Sequence, residues 1–248
     1  MANAIISGRR YPTGGGAAIP AGHQSYTANG TFTAPYTGVY TVVLTAGHAA
    51  SGKGGNGGNA GTGDAGWGAP GGGGGAGGSA YNAIMPAIAL INLTVGDQIP
   101  ITINNSIISF GNYASFSTGT SPGNGNQGGA GKGGSSSRPS DREAGEGGAG
   151  GAGGGKPLFS HGTVLSIIAP NLPDIDLSGQ NGKVGKVGIG ANGPDGGSAS
   201  NSIYGIPGQS GGCGQATYDR DTYTIGVIPY SPIIPAAAGR IDITWGNQ

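Results

Sequence analysis

Residues 52–78 read GKGGNGGNAGTGDAGWGAPGGGGGAGG. Positions 54, 57, 60, 63, 66, 69, 72, 75 and 78 are Gly, Gly, Ala, Gly, Gly, Ala, Gly, Gly and Gly. The same spacing returns at 125–134, 145–154 and 179–188, where every third residue is Gly. It resumes in a shifted frame at 190, 193, 196, 205, 208, 211 and 214, with Ala199 and Ser202 filling the gap. A period of three belongs to the polyproline II type of helix, which has three residues per turn and makes no internal hydrogen bonds. One face of each such helix is bare backbone. When it is buried, its N–H and C=O groups must pair with other chain segments, and only glycine lets backbones approach that closely. The expected fold is therefore mainly β and irregular, with almost no α-helix. Polyglycine II helices pack side by side against a small β core.

Length bears on the arrangement. As one helix, 52–78 would extend roughly 80 Å at ~3.1 Å per residue, whereas a compact chain of this size has a radius of gyration of about 18 Å. The segment is expected to fold back near Asp64–Pro70. A collagen-like rod is disfavoured, because the strict runs are short, the frame slips and few intervening positions hold proline.

Composition narrows the function. The 248 residues include 59 Gly and 16 Pro, and 11 basic residues balance 11 acidic ones. Gly and Pro are the poorest helix formers, so a helical enzyme is not expected. With no net positive charge, binding to nucleic acid through a basic surface is not expected either. The single cysteine, Cys213, excludes an intramolecular disulfide framework and a cysteine-based zinc site. The start MANAIISGRR has no long apolar core before its arginines, so no secretory signal is expected. The apolar run Ile84–Val95 contains Pro86 and Asn92 and is too short to span a bilayer.

Segments of a different character separate the tracts. Thr31–Ala46 alternates Thr, Tyr and Val and reads as a strand pair or a bent strand. Ile88–Val95 and Ile99–Ile108 read as strands around a Gly96-Asp97 turn. Thr163–Ala169, Thr222–Ile228 and Arg240–Trp245 complete a core of five or six strands. Residues 1–25 form an N-terminal arm, and 26–248 form the glycine-rich domain.

These segments carry a resemblance. TFTAPYTGVYTVVLTAGHAASGKGGNGG, SFGNYASFSTG followed by GNGNQGGAGKGG, and the closing AAAGRIDITWG resemble glycine-rich phage tail proteins over residues 26–248. They are similar to the receptor-recognising adhesins at the tips of long tail fibres in T-even-like phages. The resemblance implies a stacked polyglycine II sandwich whose loops touch the host receptor. It also implies a location in the virion.

Enzyme-like patterns carry little weight. Gly52–Gly57 matches G-x-G-x-x-G but opens no helix, and Gly208–Gly212 matches G-x-S-x-G without a strand–turn–helix context. His23, His48 and His161 share no ligand spacing, and Asp174/Asp176 and Asp219/Asp221 read as turn acids rather than calcium ligands. No catalytic residue, metal or cofactor is expected. Recognition falls instead to breaks in the glycine pattern, where side chains concentrate. Candidate receptor contacts are Arg138, Asp141 and Arg142 in SSSRPSDREAGE, Phe159 and His161 in KPLFSH, Tyr204, and Tyr218 with Arg220 in QATYDRDTY. Tyrosine mixed with charged residues is the composition of adaptable binding loops. Arg9, Arg10 and Tyr11 are candidates for attachment to other virion or tail-fibre proteins. The expected activity is non-enzymatic adhesion to a bacterial surface protein or glycan. The alternative is a structural virion component, a capsid or tail decoration fibre. Ice binding is disfavoured by the irregular residues between glycines, such as Lys183, Val184 and Lys186.

Overall fold

The computed structural model describes residues 3–6, 9–12, 19–59, 61, 69–130, 145–184, 197–198, 200, 202–211, 213, 216–217, 222–223 and 233–246. Among them there is no helix, and the regular structure is antiparallel β. Two five-stranded sheets lie face to face. One has the order β11 (Phe159–His161), β10 (Ala114–Ser117), β9 (Ile107–Phe110), β8 (Gln98–Ile103), β4 (Gly30–Thr33). The other has the order β12 (Ser166–Ile168), β7 (Ala87–Leu93), β5 (Gly38–Thr45), β16 (Arg240–Trp245), β3 (Gly22–Tyr26). Small two-stranded sheets pair β1 (Asn3–Ile6) with β2 (Arg9–Pro12), β6 (Ala80–Tyr81) with β13 (Gly205–Ile206), and β14 (Ala216–Thr217) with β15 (Thr222–Tyr223).

The core is thus larger than five or six strands, and Thr31–Ala46 is not a pair. Its two strands, β4 and β5, lie in opposite sheets. Pro35 has no N–H to continue a ladder, and the chain arches across the sandwich at Pro35–Thr37. The next arch does the same between β7 and β8, turning at Gly96 with φ 88°. The arches hold each other: Ala34 N–H donates to Asp97 O at 2.9 Å, and Gly96 N–H to Ala34 O at 2.8 Å. Strand alternation then sends Phe32, Phe110 and Phe116 from one sheet, and Tyr40, Val42, Leu44, Ile91, Ile241 and Ile243 from the other, into a shared core where each is at most 1% exposed.

Inside that core the Tyr40 hydroxyl donates to Tyr36 O at 2.6 Å and accepts from Tyr36 N–H at 3.1 Å. Burial pushes the Tyr40 phenol above its ordinary range, against the opposing effect of the Tyr36 hydrogen bond. Burial raises Tyr26 and Tyr81 as well. A phenol raised in the folded state keeps its proton where the unfolded chain has lost it, so its stability contribution is complete below about pH 10 and falls as pH rises beyond. The melting temperature should therefore drop above about pH 10. Tyr40→Phe should melt lower at neutral pH and decline less steeply in alkali, as thermal denaturation across pH 7–11 would show.

The glycine-rich runs form a stack continuous with this sandwich. Run 52–61 folds back on 69–79: Gly52, Gly55, Gly58 and Gly61 donate to the carbonyls of Gly78, Gly75, Gly72 and Ala69. Run 69–79 lies at the centre and is fully buried. It donates to three neighbours, through Gly75 N–H to Asn126 O, Ala76 N–H to Gln180 O and Gly77 N–H to Gln209 O, at 2.8–2.9 Å. It accepts from three others, through Gly55, Gly148 and Gly197. The six neighbours are 52–61, 123–130, 145–155, 177–184, 197–198 and 208–211. They close a ring, each joined to the next by a backbone hydrogen bond: Gly125 to Lys53, Gly123 to Ala152, Gly179 to Gly151, Gln180 to Ser198, Gly211 to Gly197, and Gln209 to Gly52. Donors recur every third residue, and so does burial: Gly52, Gly55 and Gly58 are buried, whereas Lys53, Asn56 and Asn59 are exposed.

Candidate functional site

The stack has two unlike ends. At one end its runs join the sandwich: 52–61 follows β5, and 145–155 leads to β11. The opposite end is marked by Gly61 and Ala69, which exchange hydrogen bonds of 2.9 and 3.3 Å, and by Gly129 N–H donating to Glu146 O at 2.8 Å. At this end the described chain breaks off after Gly61 and Ala130 and resumes at Ala69 and Gly145, while 177–184 and 197–198 lie beside Gly73 and Gly74.

The candidate contacts divide accordingly. Arg138, Asp141 and Arg142 lie outside the described residues, in the segment between Ala130 and Gly145. Tyr218 and Arg220 also lie outside them, flanked by the β14–β15 pair. Phe159 and His161 are at the sandwich end. β11 is an edge strand, on which Phe159 meets Phe116 edge-on (centroids 6.0 Å, 86°) and stacks with His161 (6.1 Å, 25°). Phe159 is half-buried by this packing, while His161 is exposed with Nδ1 3.0 Å from Gly162 O. Tyr204 also belongs to the sandwich end, where it packs on Tyr81 at 6.2 Å and its carbonyl accepts from Asn82 N–H at 2.7 Å. Arg9, Arg10 and Tyr11 fall in β2, which pairs with β1 and with neither large sheet.

One polar group has no local signal in the sequence. On the outer face of β16 and β3, Ser25 Oγ donates to Asp242 Oδ1 at 2.5 Å, Arg240 Nε donates to Oδ2 at 2.7 Å, and His23 Nε2 is 3.5 Å from Oδ1. The partners Ser25 and Asp242 are 217 residues apart, so only strand register brings them together. His23 Nε2 is also the nitrogen that meets Ser25 Oγ, at 3.2 Å. One ring nitrogen facing both groups cannot relay a proton between them as a Ser-His-Asp triad does.

Among the described residues, no group of three or more His, Cys, Asp or Glu side chains is placed to hold a metal ion, and no helix is long and apolar enough to cross a membrane. No protein family and no curated protein matches the chain.

Proposed function

We propose that this chain is a non-enzymatic phage virion protein that attaches to a bacterial surface receptor, a protein or a glycan, through the segments between its glycine-rich runs. In this reading the runs are polyglycine II helices, supported by donors and burial that both repeat every three residues. The observation that carries the reading is the fully buried central run tied by backbone hydrogen bonds to six neighbours, a rigid base beside which the chain departs after Gly61 and Ala130. A stiff base holds such segments in place, so they lose less entropy on binding. The segment with Arg138, Asp141 and Arg142 and the segment with Tyr218 and Arg220 supply the recognition side chains. Phe159 and Tyr204 serve mainly in packing.

The test is binding of labelled protein to a panel of bacterial strains, before and after surface proteolysis. Strain-selective binding lost after proteolysis identifies a protein receptor, and binding that survives identifies a glycan. Substituting Tyr218 and Arg220 together with alanine should reduce adsorption at least about tenfold, the equivalent of 1.4 kcal/mol, with an unchanged melting temperature. Unchanged adsorption removes that segment from the site.

A second reading rests on β1 and β2. An isolated two-stranded sheet is marginal in water, and this one pairs with neither large sheet. In a structural virion component, the arm with Arg9, Arg10 and Tyr11 docks on a neighbouring virion protein, and deleting residues 1–20 abolishes incorporation.

A further inference from the structure

We propose that the glycine stack is built to stop at one ring, and that its flanks form a closed lateral interface whose occupant, once opened, is a glycine run of a second copy of this chain. This inference stands on the hydrogen bonds of the stack and is independent of the adhesin reading.

The central run has six neighbours. Among the described residues each run of the ring is hydrogen-bonded to the centre and to two ring partners, so the same packing has room for further runs on its outer side. Further runs would add there as a strand adds to an open sheet edge. Two features prevent this. Residues facing inward on run 52–61 are glycines, but the exposed positions on the same run are Lys53, Asn56 and Asn59. A side chain at each outward position holds off the close backbone approach that glycine permits. In addition, polar side chains already occupy N–H groups of the ring that the central run does not use. Lys53 N–H donates to Asn124 Oδ1 at 2.9 Å, Gly54 N–H to Gln209 Oε1 at 3.1 Å, Gly150 N–H to Asn181 Oδ1 at 2.8 Å, and Gly155 N–H to Thr120 Oγ1 at 2.8 Å. An amide or hydroxyl oxygen is an acceptor like the carbonyl of a further run, so these donors are satisfied without one.

The experiment compares two sets of substitutions. One carries Lys53→Gly, Asn56→Gly, Asn59→Gly and Asn124→Gly, and the other carries alanine at the same positions. Both lose the polar side chains, but only the glycine set allows close approach. Sedimentation velocity over rising protein concentration should show the glycine set at twice the wild-type mass or more, and the alanine set at the wild-type mass. A labelled oligoglycine peptide should bind the glycine set at least tenfold more tightly than wild type. A second pair, with Ala149, Ala152 and Asn181 changed to glycine or Asn181 alone to alanine, repeats the comparison on another flank. The proposal is overturned if the glycine sets stay at the wild-type mass and bind no peptide. It is overturned equally if alanine sets associate as strongly as glycine sets. Loss of fold in both glycine sets, with the alanine sets intact, also overturns it, because the side chains would then stabilise the stack rather than block its growth.

Discussion

Gly75→Ala should destabilise the protein by about 3 kcal/mol, at the upper end of ordinary overpacking costs. A Cβ on Gly75 would fall on the carbonyl of Ala149, with Gly148 O close behind. The obstructing atoms are backbone, so no side chain can swing aside. The backbone cannot shift freely either: Gly75 N–H donates to Asn126 O at 2.9 Å and its carbonyl accepts from Gly55 N–H at 2.8 Å. Relieving the collision on one side breaks a hydrogen bond on another, in a run buried along its whole length. In a domain of this size the loss corresponds to roughly 6–12 °C in melting temperature, at 2–4 °C per kcal/mol. Ala149→Ser is the control, since Ala149 is exposed and surface substitutions usually stay within about 0.5 kcal/mol. Equal melting temperatures for the two variants would mean that the runs are not in close contact at Gly75.

Phe32→Ala should cost about 3–5 kcal/mol, the usual range for a fully buried phenylalanine. Phe32 is on β4 in one sheet, and its ring meets partners from both sheets. It packs edge-on to Tyr40 at 5.5 Å, and lies 5.9 Å from Phe110 and 5.8 Å from Trp245. Tyr40 and Trp245 belong to the facing sheet, so the ring is a joint between the layers. Truncation leaves a cavity lined by rings that cannot all move inward. Chemical denaturation should show a lower midpoint. Trp245 emission should shift to the red even in the folded variant, because the indole loses its cover. Val95→Ala, at a position 60% exposed, should do neither.

Much of the architecture was legible before any coordinates. Arg240–Trp245 is a strand over those same residues, because Ile241, Ile243 and Trp245 alternate with polar residues. Gly96-Asp97 is a turn. Short strands escaped notice for a physical reason. Gly22–Tyr26 and Ala114–Ser117 carry Gly, His, Gln, Ser and Ala rather than β-branched residues, so they have little strand signal of their own and owe their form to pairing. By sequence Phe159–His161 reads as a recognition segment, since an aromatic after a glycine run has no visible partner there. Its partner, Phe116, lies 43 positions earlier and faces Phe159 only through the register of β10 with β11.

By itself the sequence determined that this chain would be mainly β, and that glycine at every third position would set backbone against backbone. Both follow from local chemistry: Gly and Pro exclude helix, and a bare backbone face can be buried only against other chain segments that pair its N–H and C=O groups. Tertiary structure alone decided that run 69–79 is the centre and which six runs enclose it. One glycine face is chemically the same as another, so nothing in a run names its neighbour. Connection lengths, the two arches of the sandwich and the polar side chains on the outer faces made that choice.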